Sequence, residues 1–144
     1  MIRHPLQRFS AAVLVVIGID QLTKTWIESR SVLIQLNEGV SFGMLQQYSA
    51  AMVILLTIIV LLGCSYWVFA HHKRDYLLLG MFVGGGMSNL LDRVLVGGVR
   101  DWLPLPILGV RNNIADWAIS LSVAVLLLLE VYRWYQARDR KAES

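Results

Sequence analysis

Cysteine is almost absent. The single Cys64 among 144 residues can neither close an intramolecular disulfide nor supply the paired thiolates of a redox or zinc motif. Charge is thin as well, at 16% of residues, where a soluble domain carries about 25%. With 56% hydrophobic residues and a mean hydropathy of +0.57, the composition excludes both a soluble globule and a long disordered tail. No repeat or low-complexity segment is present, and the length suits one domain, residues 1–144. The bilayer is the solvent that this composition implies.

Four apolar stretches predict four membrane-spanning helices, at about 9–27, 50–70, 76–96 and 114–134. The first follows Arg3 and Arg8 as a signal peptide would. However, Asp20, Gln21 and Lys24 stand where a small-residue cleavage site would be needed, so it reads as an uncleaved anchor. The second has 21 residues without a charge, close to the ~20 a helix needs to cross the hydrocarbon core. Gly80, Gly84 and Ser88 form a small-residue stripe along the third, suited to close helix packing, while the run Gly84, Gly85, Gly86 is expected to loosen that helix.

Basic residues set a direction. Arg3, Arg8, Lys73, Arg74, Arg133, Arg138, Arg140 and Lys141 fall on one side, eight against the four of Arg30, Arg93, Arg100 and Arg111. Both termini are therefore expected in the cytoplasm. The net charge of +3 is spread over segment ends, where headgroups and topology account for it, so nucleic acid is not an expected partner.

In this orientation every membrane-embedded acid points to the outer face. Asp20 and Lys24 end the first helix, Asp92 and Arg93 end the third, Asp116 begins the fourth, and the loops add Asn37, Arg100 and Asp101. Ionisable groups in a span are costly and hence functional suspects. Asp20 with Lys24, four apart, and Asp92 with Arg93 equally well form structural pairs. Asp101 and Asp116 have no basic partner in their own motifs, since Arg100 points away from Asp101 if the segment is extended. Asn89 and Asn113 each precede an acid by three residues, so in a helix each would share a face with Asp92 or Asp116 and orient it.

Elimination narrows the reaction. His4, His71 and His72 are expected on the opposite side, which removes histidine triads and the H-E-x-x-H zinc site. Cys64 lies in the middle of an uncharged span, and Ser41, beside Gly39 and Gly43, fits a turn better than a Ser-Lys nucleophile. Paired carboxylates remain. One keeps a proton and polarises a scissile carbonyl while the other deprotonates water, which is peptide hydrolysis. The residues alone leave open whether Asp92 or Asp101 is the partner of Asp116.

Five segments, DQLTK (20–24), NEGVSFG (37–43), GGGMSNLLDR (84–93), VRDW (99–102) and NIAD (113–116), together resemble, in order, those of lipoprotein signal peptidase, also called signal peptidase II. The resemblance implies an all-α integral-membrane protein, a four-transmembrane-helix bundle with a small periplasmic substrate-cradling region. It implies an aspartic endopeptidase of the bacterial cell inner membrane that removes signal peptides from diacylglyceryl-modified prolipoproteins by cutting before the lipidated cysteine. Asp101 and Asp116 would be the catalytic pair, Asn89 and Asn113 orienting amides, Asn37 and Arg93 substrate contacts, and Asp20, Lys24 and Asp92 supports. No metal or cofactor is implied; the expected partners are prolipoproteins, membrane lipids and globomycin-type inhibitors. Ser88 stands where that pattern usually has glycine.

Two other classes compete with this reading. A small ion-coupled transporter subunit would place its acids near the bilayer midplane between repeated halves, and an inactive lipoprotein-binding paralogue would have lost an acid of the pattern. A catalytic centre without thiol or metal predicts that Cys64→Ser and added EDTA both leave cleavage of a lipid-modified prolipoprotein within twofold of the untreated protein, read by gel shift. Loss on chelation with recovery on zinc would reject it.

Overall fold

The computed structural model describes residues 5–30, 34–38, 50–71, 75–106 and 109–142. Among the described residues there are four helices: α1 (Pro5–Ser29), α2 (Ala50–His71), α3 (Tyr76–Val96) and α4 (Ile114–Ala142). Each covers one of the apolar stretches. The fourth runs beyond residue 134, because the charged QARDRKA segment is a solvated helical extension and hydropathy cannot detect it. Residues 39–43 of the NEGVSFG segment, Ser41 among them, lie outside the described residues, as do His4 and His72.

The architecture is mostly helical, with four three-residue strands added at one end. These are β1 (Gln35–Asn37), β2 (Val99–Asp101), β3 (Leu103–Leu105) and β4 (Val110–Asn112). β1 pairs antiparallel with β2 and β3 with β4, and the Trp102 amide donates to the Asn112 carbonyl at 3.0 Å, joining the two ribbons. Gly97, at φ 82°, ends α3 in the left-handed conformation that glycine adopts without strain and turns the chain directly into β2.

α3 is the central helix, packed on α1, α2 and α4, and its glycines make this possible. A β-carbon on Gly80 would lie 2.5 Å from the Phe9 carbonyl oxygen of α1, and one on Gly84 would lie 3.0 Å from the Val13 backbone. One on Gly85 would lie 2.5 Å from the Ala115 carbonyl oxygen of α4, and one on Gly86 would strike Leu61 of α2. Three consecutive glycines thus face three different neighbours. The expected loosening of the helix does not occur: α3 is continuous from Tyr76 to Val96, since close packing on three sides offsets the ~1 kcal/mol per glycine that flexibility costs.

The distribution of polarity is inverted relative to a soluble protein. Leu14, Leu55, Leu62, Leu127 and Leu128 are exposed, whereas Asp20, Lys24, Asp92, Asp101 and Asn113 are buried. α1 and the Ile114–Arg140 part of α4 are long and apolar enough to cross a membrane, with mean hydropathies of 1.3 and 2.0; Ala51–Trp67 of α2 is a shorter apolar helix. At the end away from the strands, Phe69 contacts Phe9 and Tyr76 at ring-centroid distances of 5.8 and 5.3 Å. There Arg133 of α4 grips both oxygens of Asp75, at 3.0 and 2.8 Å, just before α3.

The glycine contacts predict that Gly85→Ala lowers the melting temperature in detergent, because its methyl group meets backbone that cannot rotate aside. Gly18→Ala, with nothing within 4 Å of its new carbon, should leave the protein as stable or stabilise it by up to about 1 kcal/mol. Equal melting of the two variants would contradict the packing.

Candidate active site

All nine residues singled out in the sequence lie at the strand end of the bundle, and the structure joins them into two layers. The deeper layer is ionic. Lys24 of α1 has no exposed surface; its Nζ lies 2.6 Å from Asp20 Oδ2 and 3.0 Å from Asp92 Oδ2, and it donates to Asn89 Oδ1 at 3.1 Å. Asp20 and Lys24 do pair along α1, as their spacing suggests. The expected pairing of Asp92 with Arg93 is not formed. Neighbours on a helix point about 100° apart, and Asp92 turns instead to Lys24 and to Arg100, whose Nη2 donates to Asp92 Oδ1 at 2.8 Å.

Each deep carboxylate also holds a piece of backbone. Asp20 Oδ1 accepts the Ala115 N–H at 3.0 Å, and Asp92 Oδ2 accepts the Arg100 N–H at 3.0 Å. Ala115 immediately precedes Asp116, and Arg100 immediately precedes Asp101. One buried lysine therefore organises two acids that fix the main chain next to the two remaining acids.

The shallower layer contains Asp101 and Asp116, held by amides. The antiparallel register of β1 and β2, with Asn37 opposite Val99 and Gln35 opposite Asp101, puts Asn37 and Asp101 on one face as diagonal neighbours. Asn37 Nδ2 donates to Asp101 Oδ2 at 3.1 Å, and Asn113 Nδ2 donates to Asp101 Oδ1 at 2.6 Å. Asn113 is also the N-cap of α4: its Oδ1 accepts the Asp116 N–H at 2.9 Å, as capping asparagines do. Asn89 of α3 donates from Nδ2 to Asp116 Oδ1 at 2.7 Å.

This corrects the expectation that each amide serves the acid three residues on. The pairing is crossed: Asn89 serves Asp116 and Asn113 serves Asp101. Asn113 lies just before its helix rather than in it, so its side chain reaches back toward β2, and packing of α3 on α4 matters more for Asn89 than spacing along α3. Arg93 donates from Nη1 to the Asn89 carbonyl at 3.2 Å and lies in the field of Asp116 and Asp101.

Burial pushes the Asp101 carboxyl up to about 6. Hydrogen bonds from Asn37 and Asn113 and the charge of Lys24 pull it down, while the negative charge of Asp116 raises it further. A buried carboxyl beside a second one holds its proton to higher pH than an exposed carboxyl does and can act as an acid. A cavity of about 230 Å³ adjoins the site between α2, α3 and α4. Leu56, Val60, Leu61 and Phe82 form its apolar wall, and Asn89, Arg93 and Asp116 its polar end.

Reasoning from the sequence missed Gln21, Ser88 and the destination of Arg100. Ser88 Oγ donates to Asp20 Oδ2 at 2.7 Å, and Gln21 Nε2 donates to Ser88 Oγ and Asp92 Oδ1 at 2.9 and 3.0 Å. Strand alternation turns Arg100 away from Asp101, but nothing in the sequence named α1 and α3 as its destination. Ser88 read only as part of a packing stripe.

The model of the signal peptidase II family matches residues 12–132. A lipoprotein signal peptidase of Campylobacter jejuni (strain 81-176) is 32% identical, with 92% of each chain covered. One from Streptococcus thermophilus (strain CNRZ 1066) is 29% identical, covering 82% of this chain and 88% of that one. A solved bacterial membrane enzyme superposes with a TM-score of 0.74 over 85% of this chain and 86% of that one, at 22% identity, and so shares the fold.

The geometry predicts separate consequences for the two layers. Asp92→Asn removes one partner of a buried ionic set and should cost about 3 kcal/mol of stability, seen as lower yield and melting temperature, with residual cleavage in the fraction that folds. A well-folded, normally stable and wholly inactive Asp92→Asn would instead place Asp92 in the chemistry.

Proposed function

The chain belongs to the signal peptidase II family and is a bacterial membrane protease that processes lipoproteins; from this premise we propose that Asp101 and Asp116 are its catalytic dyad. The substrate is a diacylglyceryl-modified prolipoprotein, cut just before the lipidated cysteine. One carboxyl carries a proton and polarises the scissile carbonyl, and the other takes a proton from water, whose oxygen attacks the carbonyl carbon. When the tetrahedral intermediate collapses, the C–N bond breaks and a dyad proton passes to the leaving amine. The observation that carries this reading is the crossed amide cradle: both acids are oriented by neutral hydrogen bonds, and among the described residues neither is locked by a contacting cation.

Asn37 and Arg93 are the proposed contacts for the substrate backbone, and Asp20, Lys24 and Asp92 support the dyad. The cavity beside Asp116, apolar along one wall, suits a hydrophobic signal peptide and globomycin-type inhibitors alike. Residues 1–144 form one peptidase domain whose four helices cross the inner membrane, with both termini cytoplasmic and the strands forming a periplasmic cradle. Exposed aromatics support the crossing. Trp26 and Trp117 sit near the site end and Tyr66, Trp67, Trp134 and Tyr135 near the other, as in interfacial belts. At 1.5 Å per residue Trp117 and Trp134 are about 26 Å apart along α4, nearly a hydrocarbon core. A proton-coupled transporter is disfavoured, since the acids gather at one end.

Purified protein in detergent should cleave a diacylglyceryl-modified prolipoprotein. Asp101→Asn and Asp116→Asn should each abolish turnover while still inserting and binding globomycin, with the double variant no worse than either single one. Because Asp101 must be able to hold a proton and loses it as pH rises through about 6, kcat/KM should fall on the alkaline side from that region, and kcat should hold to higher pH because bound substrate buries the dyad further. An active Asp101→Asn, or a rate rising through pH 8, would refute the dyad.

A further inference from the structure

Arg100 lies on the reverse face of β2 from Asp101, and its side chain is 12% exposed. Its guanidinium spans three acceptors on two helices. Nη2 donates to Asp92 Oδ1 of α3 at 2.8 Å and to Gln21 Oε1 of α1 at 2.9 Å, and Nη1 donates to Glu28 Oε2 near the end of α1 at 2.9 Å. Asp92 also accepts the Arg100 main-chain N–H at 3.0 Å, so this residue is held through both its backbone and its side chain. Its side chain neither lines the cavity beside Asp116 nor bonds to either acid of the dyad.

Geometry gives this clamp a purpose. β2 has three residues and pairs with another of three, too few ladder bonds to fix a strand within a fraction of an ångström. Consecutive Cα atoms are a rigid 3.8 Å apart, so anchoring residue 100 anchors residue 101. A misplacement of 1 Å at a reacting group costs about 10²-fold in rate. Resting on the dyad reading above, we propose that Arg100 is a positioning residue: its side chain straps β2 to α1 and α3 through Glu28, Gln21 and Asp92 and thereby sets Asp101 against Asp116.

Arg100→Met tests this, because it keeps the aliphatic stem and the main-chain bond to Asp92 and removes only the strap. In detergent with a diacylglyceryl-modified prolipoprotein, kcat should fall about 10–100-fold with KM within threefold of wild type. The pH profile supplies a readout that a merely stabilising arginine would not move. The charged groups acting on Asp101 are Asp116 and Lys24, with Arg93 close by. Loss of a nearby positive charge alone would move the alkaline limb of kcat/KM to higher pH, whereas a displaced, better-hydrated Asp101 moves it lower. A lower limb is expected.

Arg100→Lys should recover part of kcat, since an ammonium reaches these acceptors as a point charge without the planar fork. Glu28→Gln, altering an exposed residue outside the dyad, should lower kcat by a few-fold with unchanged melting. Should Arg100→Met fail to fold, Glu28→Gln and Arg100→Lys decide by the same signature. Folded Arg100→Met with kcat within threefold of wild type and an unmoved alkaline limb overturns the inference. So does a fall in melting temperature alone. Asp101→Asn, run alongside, separates the two failures: if it is active the dyad reading falls, and if it is dead while Arg100→Met is fully active only the strap falls.

Discussion

A fully buried lysine between two fully buried aspartates is the constraint on which the rest of the structure depends. Desolvating such ions costs several kcal/mol each, and their attraction offsets the cost only when the remaining hydrogen-bonding positions are filled. Here they are filled by the parts of the chain that must be located. Asp20 takes Lys24, Ser88 and the Ala115 amide; Asp92 takes Lys24, Gln21 and both the side chain and amide of Arg100. Satisfying the buried charges and placing the main chain beside Asp101 and Asp116 are thus one requirement. The same lysine, through Asn89, also reaches Asp116.

The two layers divide the carboxylates by the kind of partner they receive. Cations contact Asp20 and Asp92; amides contact Asp101 and Asp116. An amide orients a carboxylate with less bias toward the charged form than a contacting cation imposes, so the proposed pair, Asp101 and Asp116, is fixed in direction by neutral partners. Arg93, which donates to the Asn89 carbonyl, lies in the field of Asp116 and Asp101 and brings positive potential to both.

The helices were legible because a bilayer demands long apolar runs; α3 coincides with the 76–96 stretch at both ends. The charged residues that gather at the strand end were legible too, since charges in such runs are rare. Their connections were less so. Crossed asparagines depend on how α3 meets α4 and where α4 begins, which spacing along one helix cannot reveal. Strands of three residues give no usable periodicity, and Arg100, read as facing away from Asp101, had no visible destination until α1 and α3 were placed beside it. The glycine run was misjudged because a propensity argument sees the freedom of an isolated helix and not three neighbours pressed against it.

Crossed cradling has a consequence for the protein's own birth. Asp101 is oriented by Asn37 and Asn113, and Asp116 by Asn89 and its own helix cap, so neither acid is aligned by the segment that carries it alone. Chains are made from the N-terminus and their parts associate in that order, and Asp116 arrives on the final helix. A chain without α4 therefore holds scattered carboxyls and no assembled cradle. The order in which the helices appear thus sets when the four acids can meet.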